Sequence, residues 1–166
     1  LGVVALGAGA FVAPTRRHPG VEIAATRSFY GMLRVVDVDR GRPDASRRLK
    51  HGCIEHGAQW LDPVRRRIAT GYFAAGSGVE LAIRHHPRRG AGQPLRIGVI
   101  GLGAGTLAAW GAAGDSMRFF ELNPDDVAVA RRYFTYLADS AAAVDVVIGD
   151  GRLALERELR DPAAPR

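Results

Sequence analysis

Cysteine is almost absent from this chain: Cys53 is the only one in 166 residues. That excludes an internal disulfide framework and a cluster of thiolate metal ligands, and a buried, inert thiol is expected. Lysine is equally scarce, since Lys50 is the only one among 23 Lys and Arg residues. The net charge of +6 is therefore carried by arginine. Its arginines fall in pairs and triplets (Arg47-Arg48, Arg65-Arg66-Arg67, Arg88-Arg89) without the interleaved aromatics of a nucleic-acid surface, so no nucleic-acid partner is expected. His51, His56, His85 and His86 lack companion ligands at metal-binding spacing and are expected to be structural or solvated, with no metal. An apolar share of 47% with 24% charged residues fits a globular protein.

Long apolar runs are also missing, with one partial exception. Leu1 to Pro14 carries no charge and is followed at once by Arg16 and Arg17. Fourteen helical residues reach roughly 21 Å, short of a hydrocarbon core of about 30 Å. The chain starts with leucine rather than methionine, and its positive charge follows the apolar run, the reverse of a signal peptide. The expectation is the end of a transmembrane helix leaving the membrane on its cytoplasmic side, so that the chain is membrane-anchored with a cytoplasmic remainder. A buried terminal element of a soluble domain is the alternative.

What is present in abundance is glycine, and its placement organises the chain. Leu95 to Ile100 reads as a buried parallel strand, Gly101-Leu102-Gly103-Ala104-Gly105 as a tight turn, and Thr106 to Ala113 as the start of a helix. Met117 to Phe120 is a second strand that ends on Glu121. Glycines allow close backbone approach to a ligand, a helix N-terminus offers free N–H groups, and a carboxylate at the next strand tip can accept hydrogen bonds from a ribose diol. The dinucleotide pattern would need a third glycine where Thr106 stands. The G-x-G-x-G form instead points to an S-adenosylmethionine type of cofactor, bound by Gly101, Gly103, Gly105 and Glu121.

Around this unit, residues 15–21 read as a linker, 22–62 as a small antiparallel β module, and 63–94 as a connecting segment with a helix. That helix spans Ser77 to His86, with Ser77 as N-cap and Glu80 three positions on. Asn123 and Pro124 open a further helix, with Asp125 and Asp126 favouring its positive end and Val127, Ala130, Phe134 and Leu137 as its apolar stripe. Val144 to Ile148 is a third strand, ending at Gly149-Asp150-Gly151, and Leu153 to Leu159 begins another helix. Asp150 can meet an adenine amino group or cap that helix, or both. The fold class expected is α/β: the β module, then over 95–166 the N-terminal part of a Rossmann-like doubly wound sheet of the S-adenosylmethionine-dependent transferase type, truncated at its C-terminus.

Arg27-Ser-Phe-Tyr-Gly31 with LRVVD, His56-Gly-Ala-Gln59, Tyr72 to Gly78, GLGAGTLAAWG, FFELNP, FTYL and GDGR together resemble the spermidine synthase (polyamine aminopropyltransferase) family, most closely its membrane-fused branch. The resemblance covers about residues 22 to 159. It implies an aminopropyltransferase that moves an aminopropyl group from decarboxylated S-adenosylmethionine to a polyamine such as putrescine, without a metal, and it allows a homodimer. It gives Glu121 the ribose and Asp150 the adenine, sets Gln59 near the aminopropyl group, and makes Tyr72 an active-site residue beside the amine. Ala104 stands where soluble members of the family usually carry an acid. The principal catalytic acid is expected beyond Arg166, so these residues alone are expected to be inactive. An S-adenosylmethionine-dependent methyltransferase and a non-catalytic domain sensing an adenosyl ligand or polyamine for a membrane protein are the competing readings.

Overall fold

The computed structural model describes residues 20–160. Its architecture is mixed α/β, with a four-stranded antiparallel sheet and a three-stranded parallel sheet. The antiparallel sheet is a meander of β1 (Val21–Ser28), β2 (Gly31–Val38), β3 (Ser46–His51) and β4 (Ile54–Trp60), paired in chain order. Alternation along β2 buries Leu33 and Val35, and Leu49 of β3 joins them, as a half-buried pleated surface requires. Two features shape this sheet. The β3–β4 register shifts between Leu49 and Lys50. Asp37, buried near the end of β2, takes hydrogen bonds from Arg40 and Arg47.

Turns over 62–70 and a short 3₁₀ turn at Gly71–Phe73 lead to α1 (Gly78–Arg84). Ser77 caps α1 by accepting the Glu80 N–H at 3.2 Å, while the Glu80 carboxylate takes the Gly76 N–H and pairs with Arg84. Four-residue α2 (Pro87–Gly90) follows, with the His86 ring accepting the Arg88 N–H. Its Arg89 reaches the fully buried carboxylate of Asp115, which also accepts the N–H groups of Leu95 and Ala112. Asp115 thereby fixes both the entry to the parallel sheet and the turn before its second strand.

That sheet runs β5 (Arg96–Ile100), β6 (Ser116–Glu121) and β7 (Ala143–Ile148), with β6 in the middle. Between β6 and β7 lie α3 (Pro124–Tyr133) and the short α4 (Tyr136–Asp139), and α5 (Gly151–Arg160) follows β7. Asn123 caps α3 from its side chain and Pro124 takes the first helical position. One core, containing Leu102, Leu107, Met117, Phe119, Val127 and Tyr136, fills a face of the parallel sheet. A second, of Leu33, Val35, Leu49, Ala104, Val129 and Phe134, joins the β module to the α/β unit.

Three local expectations are corrected. Thr106 does not begin an α-helix: Thr106–Trp110 is a 3₁₀ turn that ends at Gly111. Gly111 is extended (φ −69°, ψ 133°), and a Cβ there would sit 2.6 Å from the Ala142 Cβ and 2.8 Å from the Met117 sulfur, so only glycine fits where the turn ends. Phe134 is not in the stripe of α3, because its backbone is extended (φ −121°, ψ 154°) and turns the ring into the shared core; Leu137 belongs to α4. Cys53 is exposed at the β3–β4 turn rather than buried.

The membrane-anchored, cytoplasmic localisation is also corrected. Among the described residues, no helix is long and apolar enough to cross a membrane. The stretch from Leu1 to Pro14, on which that expectation rested, lies outside the described residues.

Candidate functional site

The glycine turn after β5 is held by its neighbours on every side. Gly101 donates to the Phe120 carbonyl at 2.8 Å, Leu102 to Glu121 Oε2 at 2.8 Å, Ala104 to the His56 carbonyl at 3.3 Å, and Gly105 to the Leu102 carbonyl at 3.0 Å. Glu121 is thus more than a strand tip. It is buried, and its Oε1 accepts the Asn123 N–H at 2.8 Å. Each carboxylate oxygen has a second acceptor site beyond these backbone bonds.

The glycines serve different ends. Gly101 has φ +92° and no atom within 4 Å of a Cβ built there, so its bare Cα faces open space. At Gly103 (φ +54°) a Cβ would collide with the His56 carbonyl, and at Gly57 on β4 one would lie 2.6 Å from the Ala104 Cβ. Gly103 and Gly57 therefore let the turn and β4 touch backbone to backbone. Ala104 is almost completely buried in that contact, which leaves no room for the longer acid that soluble members of the resembled family usually carry. Gly105 (φ +76°) packs on Leu137.

Gly101, Gly103, Glu121 and Tyr72 come together as walls of one cavity of about 600 Å³. Its other walls include His51, His56, Phe73, Asn123 and Asp126. Gly105, Gln59 and Asp150 are not among them. Asp150 is exposed on the same edge, where it caps α5 by accepting the Leu153 N–H at 3.0 Å. Gln59 is buried, and its amide is engaged between the two units: it donates to the Arg66 carbonyl and to Thr135 Oγ1, and accepts the Thr135 N–H. Tyr72 is two-thirds exposed and stands at the cavity rim.

The cavity's electrostatics are one-sided. Two carboxyl groups line it and neither arginine nor lysine does. Asp126 is 8% exposed, and its Oδ1 is buried without a hydrogen-bond partner. Burial, with the Glu121 charge adding to it, pushes its carboxyl up to about 7. Burial also lowers the affinity of His56 for a proton, and the nearby His51 ring adds to this while Glu121 opposes it. The His51 and His56 rings lie 5.5 Å apart, and His51 Nε2 is 2.7 Å from the Tyr30 carbonyl.

Two site features went unread in the sequence. His51, at the end of β3, and His56, on β4, are on the cavity wall. Charge places Asp126 at the positive end of the helix dipole, yet it lies one turn before Ala130 on the buried side of α3. The i,i+4 relation to an apolar stripe residue was the available signal.

Such a cavity suits a neutral or cationic ligand. A phosphate would meet two carboxyls, and four N–H groups of the turn are already engaged within the protein. Among the described residues there is no group of three or more His, Cys, Asp and Glu side chains able to hold a metal ion. No protein-family model and no curated protein matches the chain.

Proposed function

We propose that the chain is an adenosyl-ligand-binding transferase domain of the S-adenosylmethionine type, and that its reaction is aminopropyl transfer from decarboxylated S-adenosylmethionine to a polyamine. The observation that carries this reading is the bond from Leu102 N–H to Glu121, which sets a buried carboxylate beside the bare Cα of Gly101 in one cavity. Free lone pairs on Glu121 would accept the ribose hydroxyls. The order β5-β6-β7 matches strands 1, 2 and 3 of one half of a Rossmann-like sheet, whose ligand sits outside the carboxyl ends of its strands. Asp150 stands on that edge, where its second oxygen could receive an adenine amino group.

The co-substrate supplies a sulfonium, whose adjacent carbon is open to attack. The amine nitrogen forms a bond to that carbon, the carbon–sulfur bond breaks, and its electron pair stays on sulfur as a neutral thioether. An amine arrives as an ammonium without a lone pair, so a carboxylate must first accept its proton. The protein's part is to orient the two substrates and keep the cation company. Tyr72, at the rim, is the residue that the resemblance sets beside the amine.

Methyl transfer from S-adenosylmethionine is the second reading. Ala104, packed against Gly57, favours it by leaving the turn without an acid. Calorimetric titration tests the shared part. 5′-methylthioadenosine should bind, and Glu121→Ala should weaken it by about 1–3 kcal/mol, the range for hydrogen bonds to a charged group. Unchanged affinity in a folded Glu121→Ala protein refutes the assignment. Chemistry is separated by product: a thioether nucleoside from the decarboxylated co-substrate and putrescine, or a methylated acceptor from S-adenosylmethionine.

A further inference from the structure

Asp126 is the one carboxyl of the cavity whose position the fold does not explain. Glu121 braces two backbone N–H groups and Asn123 caps α3, but Asp126 Oδ1 is buried with no partner at all. Leaving a buried polar atom unpaired is costly even for a neutral group. A valine or leucine on this side of α3 would avoid that cost, as Val127 and Ala130 beside it do.

We propose that Asp126 binds the positively charged group of the ligand that enters this cavity, a sulfonium or an alkylammonium. The geometry points to a cation for three reasons. The side chain lines the cavity, the cavity has no arginine or lysine to satisfy it, and Glu121 is a second negative charge on the same wall. The titratable groups around it are Glu121 at the end of β6, His56 on β4, His51 at the end of β3, and the tyrosines Tyr30 and Tyr72. His56 resists protonation, so it does not fill the role of a fixed counter-charge. A cation bound at Asp126 stabilises its ionised form, and binding therefore releases a proton near neutral pH.

This inference rests on the adenosyl reading of the cavity, and the experiment separates the two. Calorimetry is run with decarboxylated S-adenosylmethionine, uncharged 5′-methylthioadenosine and putrescine, on wild type and on Asp126→Asn. The substitution should weaken at least one of the two cations tenfold or more, while 5′-methylthioadenosine changes less than about twofold; which cation loses affinity identifies the source of the charge. Equal losses for the neutral nucleoside, or no loss for either cation, would overturn the role of Asp126 while leaving the nucleoside site standing. Failure of wild type to bind 5′-methylthioadenosine removes the adenosyl reading instead, and the putrescine arm still tests Asp126. Wild type alone gives an independent check. Binding enthalpies at pH 7 in buffers of different ionisation heat should show proton release with the cation and none with the neutral nucleoside. Absence of any such release would also overturn the proposal.

Discussion

Glu121 and Leu102 are joined by a 2.8 Å hydrogen bond from backbone N–H to carboxylate, so the acid of the second parallel strand holds the turn that follows the first. If Glu121 holds the ribose as proposed, ligand recognition and local stability share one side chain. Glu121→Ala should lower stability by about 2–3 kcal/mol, because the buried N–H groups of Leu102 and Asn123 both lose their acceptor. Glu121→Gln keeps one acceptor oxygen and should cost roughly half as much. Urea unfolding followed by circular dichroism checks both; equal stability of all three proteins would mean that the brace contributes nothing.

The two glycines at the cavity can be told apart. Both have positive φ, so alanine at either adds about 1–2 kcal/mol of backbone strain. At Gly103 the new Cβ also meets the His56 carbonyl, and stability should fall further, by a visible drop in melting temperature. At Gly101 no protein atom stands in the way, so Gly101→Ala should keep most of its stability and lose affinity for 5′-methylthioadenosine. The reverse pattern would place the ligand elsewhere.

Asp115 is a fully buried carboxylate that ties Arg89 to the backbone of Leu95 and Ala112. Its bonds from Arg89 above all hold its carboxyl down to about 2, with the Leu95 and Ala112 N–H groups assisting against the effect of burial. The folded pKa lies below the unfolded value of 3.8. Its stabilisation is therefore complete above about pH 4 and is lost as pH falls towards 2. Asp115→Ala should destabilise by about 3–5 kcal/mol, since it strands a partly buried guanidinium and two amides. Arg89→Ala should remove part of the acid sensitivity. A wild-type stability that stayed flat between pH 4 and 2.5 would contradict this.

Asp126 gives the opposite sign. Its folded pKa, about 7, lies above the unfolded 3.8, so the folded state holds the proton more tightly. Stability from this group is full below about pH 4 and declines as pH rises towards 7. Asp126→Asn should abolish that decline and melt higher than wild type at pH 8. A variant that melts lower at pH 8 would show that the carboxylate has an ionic partner in the free protein.

Much of the framework was legible because its signals are local. Asn123-Pro124 announces a helix start through capping and ring geometry, and the apolar runs ending at Ile100, Glu121 and Ile148 announce parallel strands. Less legible was whatever depends on distant partners. Gln59 acquires its role from Thr135, 76 positions away, and it now ties the β module to the chain after α3. His56 reaches the cavity because Gly57 and Gly103 let β4 press on the glycine turn. Charge alone placed Asp125 and Asp126 together at a helix start. Helix rotation separates them, one beside the cavity and one beside the groove of Ala24 and Val129.

Protein-observed NMR with 5′-methylthioadenosine tests most directly whether the cavity between β5, β6 and β4 is the adenosyl site. Backbone amide shifts should saturate and be largest at Gly101, Leu102, Gly103, Leu122 and Asn123, with His56 following. No saturable shifts, or shifts confined to the separate groove formed by Ala24, Leu33, Val35 and Val129, would contradict it.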